Sequence, residues 1–143
     1  MYEYKQVADG RYVLSIKNHQ EILEALGAFC AEKNILAGEV RGLGAVSGAV
    51  FRFLDPATKK YVDRAFDEQM EITALIGNIS EKDGKPYLHV HLTCGRRDYS
   101  CVGGHLLRAR INGACELVVD KWNASVGRRF DEETGLNLYK FQL

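Results

Sequence analysis

His89 and His91 stand one residue apart in "LHVHL", and His105 follows the glycine pair of "CVGGHLL". Imidazole is the commonest metal ligand a protein offers, so three histidines this close along the chain point to the chemistry of a bound divalent cation. On a strand, side chains at i and i+2 leave the same face. His89 and His91 therefore project together, while Leu88, Val90 and Leu92 take the core side. A hairpin centred near Asp98 sets His91 across from the neighbourhood of His105, because each lies seven residues from Asp98. Three imidazoles on one face suit Zn²⁺ or a similar divalent ion, with a fourth position left to water, as in catalytic rather than closed structural zinc. The same residues also fit a packed, half-exposed histidine pair and neighbour without metal, and spacing leaves both readings open.

Other chemistry has thinner support. Cys94 and Cys101 flank the histidine region and offer thiols for a metal or a redox pair, but Cys30, Cys94, Cys101 and Cys115 form no C-x-x-C pattern. In a reducing compartment they read as free thiols in largely apolar surroundings. Gly42, Gly44 and Gly48 loosely evoke a phosphate loop. Three residues rather than two separate the last pair, however, and a strand rather than a helix follows, so no helix N-terminus backs the loop. "GAVSG" is not a nucleophile elbow. Glu39 and Glu71 are general-base candidates only if folding brings them to the histidines. His19, at the start of a helix, reads as solvated or capping.

The elements that must position these groups follow from periodicity. "GRYVLSI" alternates and is rich in β-formers. "NHQEILEALGAFCAEKNI" places Ile22, Leu23, Leu26, Phe29 and Cys30 at helical spacing, with Asn18 as N-cap, Glu21 completing a capping box, and an end near Lys33 and Asn34. "ILAGEVRGLGAVSGAVFRFLD" is strand interrupted by glycine bends. After the Asp55-Pro56 turn come a short strand at "KKYVDRAF", a strand at "QMEITALIGNIS", a tight hairpin at Asp83-Gly84, and the antiparallel return "PYLHVHLTC". "CVGGHLLRARING" reads as a short strand and a glycine turn, "ACELVVDKW" as another strand, and "GLNLYKFQL" as the last.

At 143 residues, 46% hydrophobic and 27% charged, the chain has the size and composition of one globular domain. It has no repeat and no linker. No apolar run is long enough to span a bilayer. "MYEYKQVADG" carries charges where a signal peptide needs an apolar core, so a cytoplasmic protein is expected. Nineteen basic residues balance nineteen acidic ones, so the basic stripe typical of DNA-binding surfaces is not evident.

"GLGAVSGAVFRFLD", "PYLHVHLTCGRRDYSCVGGHLL" and "ACELVV", in that order, with the closing "RRFDEETGLNLYKF", resemble the plants-and-prokaryotes-conserved (PPC) domain in its stand-alone prokaryotic form. The resemblance covers nearly the whole chain. It implies a single α+β domain over residues 1–143, with a mainly antiparallel central sheet flanked by one long helix and short helices, assembled as a homotrimer. It also implies that His89, His91 and His105 match the family's histidine motif, and it carries a DNA-associated, regulatory label. The plant proteins pair this domain with an Arg-Gly-Arg-Pro segment that enters the minor groove. Here the prolines are Pro56 and Pro86, and neither follows such a run. Any DNA contact would have to come from arginines gathered by the trimer, such as Arg96, Arg97, Arg128 and Arg129. Two alternatives stand beside the DNA label: a metal-dependent small-molecule enzyme or sensor, and a non-catalytic assembly module.

Overall fold

The computed structural model describes residues 1–141. Its elements run β1 (Tyr2–Ala8), β2 (Arg11–Ile16), α1 (Ile22–Glu32), β3 (Gly38–Asp55), β4 (Lys60–Phe66), β5 (Met70–Lys82), β6 (Lys85–Gly95), β7 (Cys101–Lys121), β8 (Gly127–Asp131) and β9 (Leu136–Lys140). The chain is thus mostly strand. Among the described residues α1 is the one helix, and the expected short flanking helices are absent. No helix among them is long and apolar enough to cross a membrane.

The strands join one sheet in the order β1-β2-β7-β3-β5-β8-β9, with β4 on β3 and β6 bridging β5 and β7. Pairing is antiparallel throughout except for a single parallel bridge, Glu81 with Gly127. Because β3 pairs with β5, β5 with β6, β6 with β7 and β7 with β3, these four strands close a circuit of neighbours. Closure leaves no open edge within the circuit.

Alternation in β2 buries Tyr12, Leu14 and Ile16. The apolar stripe of α1 buries Ile22, Ala25, Leu26, Phe29 and Cys30 against β2, β6 and β7. The β5–β6 hairpin turns at Asp83-Gly84, both at positive φ (54° and 75°), as a two-residue turn matched to strand twist demands.

Three details differ from the sequence expectation. Asn18 is not the helix cap. His19 turns the chain at φ 66°, so the helix starts later and Glu21 caps it. One Glu21 carboxylate oxygen accepts from the Glu24 N–H at 2.7 Å, and the other accepts from the Ala109 N–H at 2.9 Å. The second difference is that "CVGGHLLRARING" and "ACELVVDK" form one 21-residue strand, β7. Gly113, at φ 121°, carries a register shift against β3 where a turn was expected. The third is that "GLNLYKFQL" yields a five-residue strand, β9; its last two positions, 142 and 143, lie outside the described residues. Both β1 and β8 were not anticipated.

Glu21 links the helix to β7, so its replacement tests the link. Glu21→Ala is expected to lower stability by about 1–2 kcal/mol, read from the midpoint of urea unfolding.

Candidate metal centre

The three histidines come from two adjacent strands. On β6, Val90 and Leu92 are buried while His89 and His91 lie on the opposite face. Leu88 shares the core side and reaches Gly27 of α1. On β7, His105 stands directly opposite His91 in the antiparallel register, as the hairpin about Asp98 predicted. Ring centroids are 5.0 to 5.5 Å apart, and the Nε2 atoms of His89 and His91 are 3.2 Å apart.

A β-bulge lets β7 return to the core beyond His105. Leu106 and Ala109 are both buried although three residues apart, which uninterrupted alternation forbids. The register shift between Val50 and Phe51 of β3 absorbs one extra β7 residue. Without it Ala109 and Ile111 would share the face of His105 and leave the core. Bulges re-aim side chains in this way.

The electrostatics favour neutral imidazole, the form that ligates metal. Burial pushes the His89 pKa down to about 4, helped by His105, His91 and the positive charge of Arg128. His105 is lowered as well, by burial first and then by His91 and Arg52. One candidate ligand atom from each ring lies within 4.8 Å of the others. Nitrogens sharing one tetrahedral zinc sit roughly 3.4 Å apart, so modest ring rotation brings this set to bonding distance. The group contains no carboxylate and no thiol, which suits zinc or a similar nitrogen-loving divalent ion.

The histidines border a cavity of ≈ 1280 Å³ whose wall includes β3, β4, β6, β7 and the β8–β9 arm. The arm supplies a residue that sequence reasoning had assigned elsewhere. Arg128 was counted among candidate DNA contacts, yet it turns inward. Its Nε donates to Ser80 Oγ at 2.6 Å and its Nη1 to the Asn137 carbonyl at 2.7 Å. Its guanidinium lies 4.7 Å from the Tyr87 ring centre and 4.5 Å from that of Tyr139. Nothing local in "VGRRF" signals this, because the partners lie on three different strands. Arg96 is likewise engaged, with Glu68 at 2.8 Å.

The remaining candidates fall away from the centre. Glu39 pairs with Arg41, and neither Glu39 nor Glu71 lines the cavity. His19 lines a different, smaller hollow beside Glu24. All four cysteines are free thiols. Cys94 is buried, which pushes its thiol up to about 11, while Cys101 lies exposed at the cavity wall.

The β6–β7 approach depends on Gly103. A Cβ there would stand 2.5 Å from the Leu92 carbonyl oxygen and 3.0 Å from Thr93 Cα, backbone atoms that cannot swing aside. Gly103→Ala is expected to cost about 1–3 kcal/mol in urea unfolding. It should also weaken zinc uptake, because the displaced strand carries His105 away from His91.

The model of the Plants and Prokaryotes Conserved (PCC) domain matches residues 4–123. A Bacteroides thetaiotaomicron structure, provisionally called a DNA-binding protein, is similar at 49% identity and TM-score 0.96, over 99% of this chain and 98% of that one. A metal-containing protein from Archaeoglobus fulgidus is similar at 34% identity and TM-score 0.87, over 99% of each chain. A plant- and prokaryote-conserved (PPC) protein from Pyrococcus horikoshii shares the fold at 23% identity and TM-score 0.85, over 100% of this chain and 96% of that one. No curated protein matches the chain. The matched segment contains both histidine strands and the glycines that let them approach, and on that ground the chain belongs to the Plants and Prokaryotes Conserved domain family.

Proposed function

We propose that this chain is a divalent-metal protein in which His89, His91 and His105 hold zinc or a similar ion at the wall of a small-molecule cavity, and that it works as a homotrimer. The observation that carries the reading is the convergence of three imidazoles from two strands, with ligand atoms within 4.8 Å of one another. The metal-containing A. fulgidus relative supports it. An ion held by three histidines keeps a position open and supplies Lewis acidity to whatever binds there. Besides the histidines, the cavity lining holds Tyr61, Tyr87, Tyr139 and Cys101 and, among the described residues, no Asp or Glu. The trimer reading rests on the family resemblance, with Phe53, Val62 and Ile76 exposed near the histidines.

The test is elemental analysis of purified, untagged protein with native mass spectrometry on the same sample. About one divalent ion per chain, removed by a chelator, in a particle of three chains supports the reading. A metal-free protein that takes up no added zinc overturns it.

The name of the B. thetaiotaomicron relative favours a second reading, association with DNA. In this chain Arg52 and Arg96 are paired with Asp63 and Glu68 and Arg128 is turned inward, so a basic face would have to come from assembly. Duplex retardation that weakens steeply with added salt is the expected signature, since phosphate contacts release counterions. Absence of retardation at low salt counts against DNA.

A further inference from the structure

The cavity beside the histidines has an unusual charge balance. Arg52, Arg64 and Arg128 line it, together with the three histidines, and among the described residues no Asp or Glu does. Of these groups, Arg64 and Arg128 are the cations with no ion pair among the described residues. Arginine is always protonated, and a partly buried cation without a counterion is costly.

The three arginines are not equivalent. Arg52 is neutralised by a two-pronged pair with Asp63, at 2.8 and 2.9 Å. Arg64 stacks 5.0 Å over the Phe66 ring and has no ion pair among the described residues. Arg128 is fixed by Ser80, Asn137 and two tyrosine rings, all uncharged, and its Nη2 has no hydrogen bond among the described residues. Its charge reaches His89. A rigid guanidinium with spare N–H groups, held next to a candidate metal centre without a protein carboxylate, is a receptor for an anion.

The remaining wall narrows the class. Phe53, Tyr61, Leu138 and Tyr139 contribute flat or apolar surface. A guanidinium pairs with carboxylate or phosphate alike, so it is this aromatic and apolar wall that favours an organic body carrying the anion. We infer that the cavity binds a small organic carboxylate carried on a flat apolar body, with Arg128 facing the carboxylate. The inference rests on the metal reading only for the added positive charge of the ion. The arginine arrangement is independent of it, and Arg128 comes from an arm that lies outside the segment matched to the family.

The experiment is calorimetric titration of benzoate, benzamide and inorganic phosphate into zinc-treated and chelator-treated protein. It is run on the native chain and on Arg128→Gln, Arg64→Gln and Arg97→Gln, the last altering an exposed arginine outside the cavity. Benzoate should bind saturably and better than either other probe. Arg128→Gln should weaken it about tenfold or more, the size of a lost charge-assisted hydrogen bond. Arg97→Gln should change nothing. Because Arg128 also anchors the arm, Arg128→Lys and Arg64→Gln guard against a folding effect. Partial rescue by lysine and weakening by Arg64→Gln support recognition of charge. Benzamide binding as well as benzoate, phosphate binding better, or benzoate indifferent to all the cavity arginines overturns the inference. No benzoate binding with zinc bound overturns the inference and leaves the metal reading standing. No zinc uptake overturns the metal reading alone, and the chelator-treated titration then decides the carboxylate site by the same criteria.

Discussion

His105→Ala is expected to empty the protein of divalent metal while leaving it folded. With three protein ligands grouped among the described residues, removing one leaves the two β6 histidines, which sit on a single strand and cannot surround an ion. Zinc binding of about 10–16 kcal/mol shared over four ligands implies a loss of roughly a hundredfold to a thousandfold in affinity per ligand. His89→Ala should behave alike. The fold should survive because the His105 side chain lies on the cavity face, not in the core, and alanine keeps the backbone pairing with His91 and Arg52. The check is metal content after dialysis against a zinc buffer, with circular dichroism on the same samples. Unchanged metal in both variants would show that the histidines pack rather than ligate. In the native chain, bound metal should raise the melting temperature, because an ion that binds only the folded state stabilises it by mass action. That increment should vanish in both alanine variants.

Phe29→Ala should do the reverse, destabilising the fold strongly while sparing the stoichiometry of metal at low temperature. Phe29 is fully buried at the centre of the helix–sheet contact. It meets Tyr2 at 5.6 Å and Tyr12 at 5.4 Å, both edge to face. Truncating a buried phenylalanine costs about 3–5 kcal/mol through lost transfer energy and the cavity left behind. For a domain of this size that is a fall of about 10 °C or more in Tm, measurable by calorimetry. The metal centre lies on the other face of β6 from α1, so zinc per folded chain should stay unchanged. Failure of the two effects to separate would mean that the histidine geometry depends on the helix, contrary to the arrangement described.

The anion inference ties these results to ligand choice. Were the ion alone responsible for attracting a carboxylate, the cavity arginines would be dispensable. Arg64 and Arg128, with no Asp or Glu in the lining among the described residues, are the distinguishing feature.

Much of the architecture was legible along the chain because it is written in local patterns. Alternation in β2 and β6, helical spacing in α1, and the Asp83-Gly84 turn each follow from contacts within a few residues. The pairing of His91 with His105 was legible for the same reason, since a hairpin about Asp98 fixes its own register. What stayed hidden was whatever a distant strand decides. Asn18 looked like the cap, but its side-chain oxygen accepts from the Gly113 N–H at 3.0 Å, and Glu21 took the role by also reaching Ala109. The glycine turn expected at Gly113 became a bulge inside one long strand, because β3 pairs along both sides of it.

The histidine set and its side-by-side pair on β6 were determined by the sequence itself, through the two-residue period of a strand. Tertiary structure alone decided that Ala109 and Ile111 return to the core beyond His105, since a bulge against β3 reverses the alternation between Leu106 and Ala109. It also decided that Arg128 turns in over Tyr87 rather than outward, because its partners, Ser80, Tyr87, Asn137 and Tyr139, come from β5, β6 and β9. Side-chain direction on a single strand is a local property. Which charge ends up beside which metal ligand is settled only when strands far apart in the chain are brought together.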